Sequence, residues 1–304
     1  MDAKQRRKLV ERYRVEDGGD FRLKRCPTDG DSVLPAGKQE FAALLAEGVE
    51  RLAEMQDKLY AQDRWAVLCI FQAMDAAGKD GAIKHVFSGV NPQGCHVTSF
   101  KAPSTLELDH DFLWRHAANL PARGTIGIHN RSWYEEVLVA RVHPAILDRQ
   151  KLPPELRARK RIFDERLEDI AAFERYLARQ GVLILKFFLH VSKEEQRRRF
   201  LARIEEPEKN WKFEAGDVAE RRHWDDYQRA YDAAIRATAA PHSPWHVVPA
   251  DNKGFARLVV SFALSEALEK LDLHYPRLGE GERAALEQAR QELLQEGGPS
   301  SGRA

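Results

Sequence analysis

Residues 72 to 85 read "QAMDAAGKDGAIKH". A phosphate-binding loop is written G-x-x-x-x-G-K-[ST], and it works by turning backbone N–H groups and one lysine onto phosphoryl oxygens. Gly78 and Lys79 stand where that pattern requires them, while Ala73 replaces the first glycine and Asp80 the hydroxyl residue. The missing hydroxyl is the one that ordinarily holds Mg²⁺. Two carboxylates, Asp75 and Asp80, lie in or beside the loop, and carboxylates are good Mg²⁺ ligands. Asp75 can also orient an attacking oxygen. The loop residues Ala76, Ala77, Gly78, Asp80 and Gly81 are therefore candidate phosphate contacts, with Lys79 as the mobile cation. The plain alternative is a surface strand–turn–helix, because short matches to this pattern also arise by chance.

A second group lies in "HNRSWYEEVLVARVHP" (129–144). A strand end beside a phosphate loop is where a further metal-binding acid is expected. Asn130 comes first, then Arg131, with Glu135 and Glu136 a few residues on. Arg131 and Arg141 can clamp phosphates with two hydrogen bonds each. An ordinary helix start, capped by Asn130 or Ser132, is the competing reading. Further cations that can meet a charged ligand lie in the 203–226 stretch: Arg203, Lys209, Lys212, Arg221 and Arg222. Taken singly, each is as easily a solvated charge paired with a neighbouring acid.

These residues need elements to position them. "WAVLCIF" (65–71) is a continuous apolar run suited to a strand buried on both faces. It precedes the loop, and the helix-compatible "DGAIKHVFSGV" follows it, the context a phosphate loop requires. Further strands are expected at 95–100, 125–130, 182–191 and 245–250, with helical patterns over 38–60, 167–181 and 192–204. Gly181 suits a helix C-terminus, and Ser192 with Glu195 forms a capping-box pattern. Strands alternating with helices predict an α/β fold with a mainly parallel five-stranded sheet, whose ligands bind at the carboxyl ends of the strands. Residues 1–38 read as a polar, turn-rich arm, 39–278 as the folded domain, and 279–304 as a charged helix followed by a disordered tail. The charged stretch 203–226, with two tryptophans, reads as a lid.

Composition excludes some classes. With 304 residues, 43% hydrophobic, the chain can bury a sizeable core. A net charge of +1 argues against a dedicated nucleic-acid binder, and no apolar run is long enough for a membrane helix. Three cysteines fit no metal or redox spacing and read as reduced thiols, which points to the cytoplasm. Eleven histidines form no zinc pattern, and His110, His116 and His143 read as surface or structural.

The loop "DAAGKDG", "SFKAPS" (99–104), "DFLWR" (111–115), "NRSWYEEVLVARV" (130–142), "EEPEKNWKF" (205–213), "GDVAERRHWDDYQRAYDAAI" (216–235) and "PWHVVPADNK" (244–253) occur in this order. Together they resemble the family-2 polyphosphate kinases over about residues 40 to 275. The resemblance implies a thymidylate-kinase-like, three-layer P-loop fold with a lid. It implies reversible transfer of a terminal phosphoryl group between inorganic polyphosphate and nucleotides, AMP, ADP and ATP, with guanine nucleotides as further candidates. Mg²⁺ is the implied cofactor, with Mn²⁺ as its substitute, and homodimers or homotetramers are the implied assemblies. Asp75 and Lys79 fall on the family's pattern, so Ala73 and Asp80 read as family variants. Asp75, Lys79, Asn130, Arg131 and Glu135 become the candidate catalytic group, with Asp75 and Glu135 as metal ligands, and the resemblance adds Lys84, Lys101 and Arg115 to the candidate phosphate contacts. Many members carry aspartate where this chain has Asn130, so Glu135 or Glu136 is expected to supply the missing acid. GKDG combined with NRS and EE resembles the subgroup that accepts both mono- and diphosphates. The alternatives are a diphosphate-only enzyme and a nucleoside triphosphate-dependent small-molecule kinase, which Asp80 speaks against. His129, where an apolar residue is commoner, has no role readable from sequence.

Overall fold

The computed structural model describes residues 1–30, 33–34, 37–213 and 215–296, without the side chains of Lys38 and Ala215. Residues 297–304, read from sequence as a disordered tail, lie outside the described residues. The apolar runs form β2 (Ala66–Ala73), β3 (Cys95–Ser99), β4 (Ile126–Asn130), β5 (Val182–His190) and β6 (Trp245–Pro249). A two-residue strand, β1 (Arg14–Val15), adds an antiparallel edge that sequence reasoning did not anticipate. The sheet order is β1-β6-β5-β2-β4-β3, and the five expected strands are mutually parallel. Among the described residues the sheet thus has six strands instead of five. A two-residue strand carries too short an alternation to show in a sequence.

The longer helices are α1 (Ala3–Glu11), α2 (Lys38–Gln62), α3 (Lys79–Val86), α4 (Ile162–Arg179), α5 (Lys193–Glu205), α6 (Trp224–Thr238), α7 (Lys253–Glu269) and α8 (Glu280–Glu296). α7 packs on α1, α2 and α3, and α4 packs on β5 and α6, which gives helix layers on both faces of the sheet. β2 is buried along its whole length, as a strand covered on both faces must be, and Phe71 stacks on Phe187 at 5.1 Å. α2 and α7 touch closely at Gly48, where a Cβ would lie 2.4 Å from Ser261 Oγ. Within the N-terminal stretch, Leu9, Val10, Tyr13 and Leu23 are buried in the main core. α8 buries none of its residues.

Two local expectations are refined. Gly181 sits at φ +75° just past α4, as a left-handed helix terminus requires. Ser192 Oγ accepts from Glu195 N at 3.1 Å, but the return half of the capping box is missing. Ser192 N donates instead to Asp251 Oδ1 at 2.7 Å, which leaves the Glu195 carboxylate free to bind Arg199 at 2.6 Å.

The strand order places β2 between β4 and β5, so the connection from β4 to β5 crosses over β2. That reversal opens a crevice at the carboxyl end of β2, where parallel sheets hold their ligands.

Candidate active site

The loop after β2 fills this crevice. Ala76 (φ +60°) and Gly78 (φ +107°) both take left-handed backbone, and α3 begins directly after them. A non-glycine residue held there marks a turn that the surroundings enforce. The first N–H groups of α3 have no partner within the helix and face outward at its N-terminus, an anion-binding arrangement. Lys79 Nζ donates to the Ala73 carbonyl at 3.0 Å, so the ammonium lies over the loop. Burial and the nearby Arg131 lower its pKa, while Asp75, Glu135 and Asp80 oppose them.

β4 delivers the second half of the site. Asn130 pairs in register with Phe71, and Arg131 N donates to Phe71 O at 3.0 Å, which carries the sheet bonding one residue past β4. Arg131 also adopts left-handed backbone, φ +66°. Its Nη2 lies 3.6 Å from Asp75 Oδ1. Burial works against the Arg131 charge, yet Glu135 and Asp75 outweigh it and raise its pKa. Asn130 Nδ2 donates to Asp80 Oδ1 at 2.7 Å, so the two residues that depart from the usual patterns are partners. Sequence alone did not indicate that pairing.

Glu135 and Glu136 separate cleanly. They lie in a 3-10 turn, Trp133–Glu136, where successive side chains point about 120° apart. Glu135 belongs to the loop side. With the Gln72 amide oriented so that its nitrogen donates to Glu135 Oε1 at 2.9 Å, its oxygen accepts from Ser132 Oγ at 3.1 Å. Burial raises the Glu135 pKa, and Arg131 and Lys79 counteract it. Glu136 faces away and is bound by Arg166 Nη1 at 3.2 Å and Gln150 Nε2 at 2.5 Å. The expectation that either glutamate serves the site therefore narrows to Glu135.

The remaining cations divide. Arg115 is buried, donates to Lys101 O at 2.9 Å, sits 3.6 Å from Glu107 and covers the Phe100 ring. Its proposed role as a phosphate contact is not supported: the guanidinium holds the 101–107 segment. Arg221 donates to Lys193 O and to Gln196 Oε1 at 2.7 Å. Gln196 in turn donates to Asp75 O at 2.9 Å, so Arg221 reaches the loop through Gln196. Arg141 lies 3.8 Å from Asp164, beside the Phe163 ring, with one terminal nitrogen unpartnered among the described residues. Lys209 pairs with Glu206, and Lys212 lies over the exposed Trp211 ring. Lys84, Lys101 and Arg222 are exposed. The 203–226 stretch is a chain of short helical turns, tied together by Arg203 to Lys212 O (3.1 Å) and Asp217 (3.3 Å). Glu214 lies outside the described residues.

The main residue missed by sequence reasoning is Arg199. Its guanidinium donates to Ala76 O (3.1 Å) and Ala77 O (2.6 Å) on the loop, and to Ala250 O (2.6 Å) and Asp251 O (3.0 Å) after β6. It is a bracket between the loop and the neighbouring strand end. Lys186 is the second. It interrupts the apolar β5 run, is fully buried, and donates to Glu174 Oε2 (2.6 Å), Thr238 O (2.7 Å) and Tyr134 Oη (3.1 Å). Trp133 Nε1 also donates to Glu174, at 3.2 Å, so this network anchors the segment that carries Arg131 and Glu135. A lone lysine in a buried strand was the available signal, since buried charge must be paired. His129 is buried against Phe100 and Trp133 with Nε2 3.0 Å from Asn119 O, and burial pushes its pKa down to about 4. It is a neutral structural histidine.

Among the described residues, no three His, Cys, Asp or Glu side chains gather to hold a metal by themselves. Mg²⁺ needs no such cage, because one or two carboxylates and substrate phosphates complete its shell with water. Asp75, about one-third exposed at the loop, fits that use, whereas Glu135 is already committed to Gln72, Arg131 and Lys79.

A parallel sheet with a phosphate loop at its switch point and cations across the crevice define a P-loop phosphotransferase. The family model for polyphosphate kinase 2 matches residues 36–276. The chain belongs to that family. An ADP-polyphosphate phosphotransferase of Rhodopseudomonas palustris is 51% identical over 285 residues, covering 94% of this chain and 98% of that protein. An AMP/ADP-polyphosphate phosphotransferase of Meiothermus ruber is 46% identical over 268 residues, covering 88% and 96%. The crystal structure of polyphosphate kinase 2 from Arthrobacter aurescens superposes with a TM-score of 0.83 at 40% identity, covering 92% of this chain and 96% of that one.

Proposed function

We propose that this chain transfers the terminal phosphoryl group of inorganic polyphosphate to a nucleotide, reversibly, with Mg²⁺, and that both AMP and ADP serve as acceptors. The observation that carries the reading is the convergence of Asp75, Lys79, Arg131 and Glu135 around the loop, in a chain of this family. A terminal phosphate oxygen of the nucleotide attacks the terminal phosphorus of the chain. The bridging P–O bond breaks, and the polyphosphate shortens by one unit. The attacking oxygen is already anionic at neutral pH, so no strong base is required and catalysis rests on alignment and charge neutralisation. Loop N–H groups and Lys79 hold the donor phosphates. Arg131 spans donor and acceptor, held by Asp75 and Glu135. Asp75 would hold Mg²⁺, which when bound would supply neutralisation of phosphoryl charge.

Acceptance of AMP beside ADP rests on the GKDG and NRS pattern, whose Asp80 and Asn130 are hydrogen-bonded here. Guanine nucleotides, a homo-oligomeric assembly and a reducing, cytoplasmic setting for the free cysteines complete the proposal. Among the described residues no helix is long and apolar enough to cross a membrane.

The site assignment is tested with Asp75→Asn. The variant is expected to bind polyphosphate as the parent does, to lose turnover by a hundredfold or more, and to bind Mg²⁺ more weakly by calorimetry. Normal turnover would remove Asp75 from the mechanism.

A further inference from the structure

The end of the sheet opposite the phosphate loop holds a cavity of about 260 Å³. Trp65 precedes β2, Leu183 and Leu185 open one face of β5, Pro244 precedes β6, and the last turns of α7 complete the wall. Leu189 stands level with Ala73 where the phosphate loop begins. From Leu183 to Leu189 is roughly 20 Å of strand, so the cavity is separate from the site described above.

Two acceptors on its wall have no partner among the described residues. The first is His246 Nδ1. The ring is 2% exposed and is hydrogen-bonded to the Lys186 backbone, and burial followed by the Arg14 charge pushes its pKa down to about 3. It is therefore neutral, and a neutral imidazole that donates through one nitrogen accepts through the other. The second is Glu266 Oε2, on a residue 8% exposed. Its Oε1 takes both cations of the wall, Arg14 Nη1 at 3.1 Å and Lys270 Nζ at 2.9 Å, and Arg14 Nε lies 3.1 Å from Glu16.

These pairs decide what the cavity takes. Two cations and two carboxylates cancel, so an ionised ligand would give up its hydration without gaining a counter-charge. Buried acceptors without partners are destabilising, and a ligand that brings N–H groups relieves them. The rest of the wall is apolar and includes the Trp65 indole, which suits a flat ring. The volume falls below the roughly 300 Å³ at which sites for drug-sized ligands begin, so the occupant is one or two rings without sugar or phosphate. We propose that this cavity is a further binding site, for an uncharged aromatic heterocycle carrying an amino group, an aminopurine in type, whose N–H groups meet Glu266 Oε2 and His246 Nδ1 and whose ring packs against Trp65 and Leu183.

The test is calorimetry at saturating ADP without polyphosphate, so that the catalytic nucleotide site is filled. The probes are 9-methyladenine and 9-methylpurine, which share a ring system but differ in the amino group, the only N–H donor of the pair. The first is expected to bind with one-to-one stoichiometry, about tenfold more tightly than the second. Leu183→Trp, which fills the cavity, should abolish that binding and leave polyphosphate-dependent kcat/KM for ADP unchanged. Ala267→Leu, a smaller intrusion from the α7 side, should weaken it in a protein that unfolds at the parental temperature. Equal affinity for the two probes would overturn the proposal, since the acceptors would then be served by water. So would binding that survives both variants, or no binding of either probe. Binding seen without ADP and lost at saturating ADP would give 9-methyladenine to the catalytic site and refute a separate one.

Discussion

Replacing Arg199 by lysine isolates the cost of an imprecise loop. The arginine is 7% exposed and makes five hydrogen bonds, four to the carbonyls of Ala76, Ala77, Ala250 and Asp251 and one to Glu195. Lysine keeps the charge but presents its donors from a single point, so it cannot reach Glu195, the loop and the β6 end together. Glu195 retains Arg198 as a partner, so the carboxylate is not left bare. At least two bonds from a charged donor are lost, each about 1.5–3 kcal/mol, with partial recovery through water at the loop surface. The expected destabilisation is about 2–4 kcal/mol in urea unfolding, and a domain with 5–15 kcal/mol to lose should still fold at 25 °C. The functional effect should be larger than folding explains. A displacement of roughly 1 Å in a positioning element costs about a hundredfold in rate. Thus kcat/KM measured where more than about 99% of the variant is folded should fall by roughly that factor. Full activity in a destabilised Arg199→Lys protein would refute the bracket as a positioning device. Unaltered stability would refute the hydrogen-bond argument itself.

Other perturbations address separate parts of the account. Lys186→Met strands the fully buried Glu174 carboxylate and should cost about 3–5 kcal/mol, while Lys186→Met/Glu174→Gln should recover a large part of it in a double-mutant cycle. Glu135 has a raised pKa, so as pH falls its carboxylate is lost earlier than an ordinary glutamate near 4.3, and Arg131 and Lys79 lose their anchor. The acid limb of kcat/KM should therefore lie above that value and shift or vanish in Glu135→Gln; a wild-type limb unaltered in the variant would exclude Glu135. Asn130→Asp sets a second carboxylate against Asp80, which should tighten Mg²⁺ binding by calorimetry, and Asn130→Asp/Asp80→Asn should return it to the parent level. Equal affinity in all three proteins would show that this pair does not face the metal.

The parts legible from sequence were those governed by local pattern. Apolar runs marked the five parallel strands, and the spacing from Gly78 to Lys79 after the first of them placed the loop. The parts that stayed hidden depend on contacts distant in the chain. In "SKEEQRRRF" three arginines look alike, and only the fold turns Arg199 inward to the loop while Arg197 remains exposed. Glu135 and Glu136 are equivalent on paper, and the 3-10 turn divides them. Arg115 looked like one more surface cation but is buried, because Glu107 and the Lys101 carbonyl meet it across a loop.

The central claim is best tested by incubating the purified protein with polyphosphate, Mg²⁺ and either AMP or ADP, and separating the nucleotides by chromatography. The account predicts ADP and then ATP from AMP, and ATP from ADP, each lost on omission of polyphosphate. ATP from ADP with no product from AMP would confine the enzyme to diphosphates. No phosphorylated product from either acceptor, under conditions where polyphosphate binds, would contradict the account.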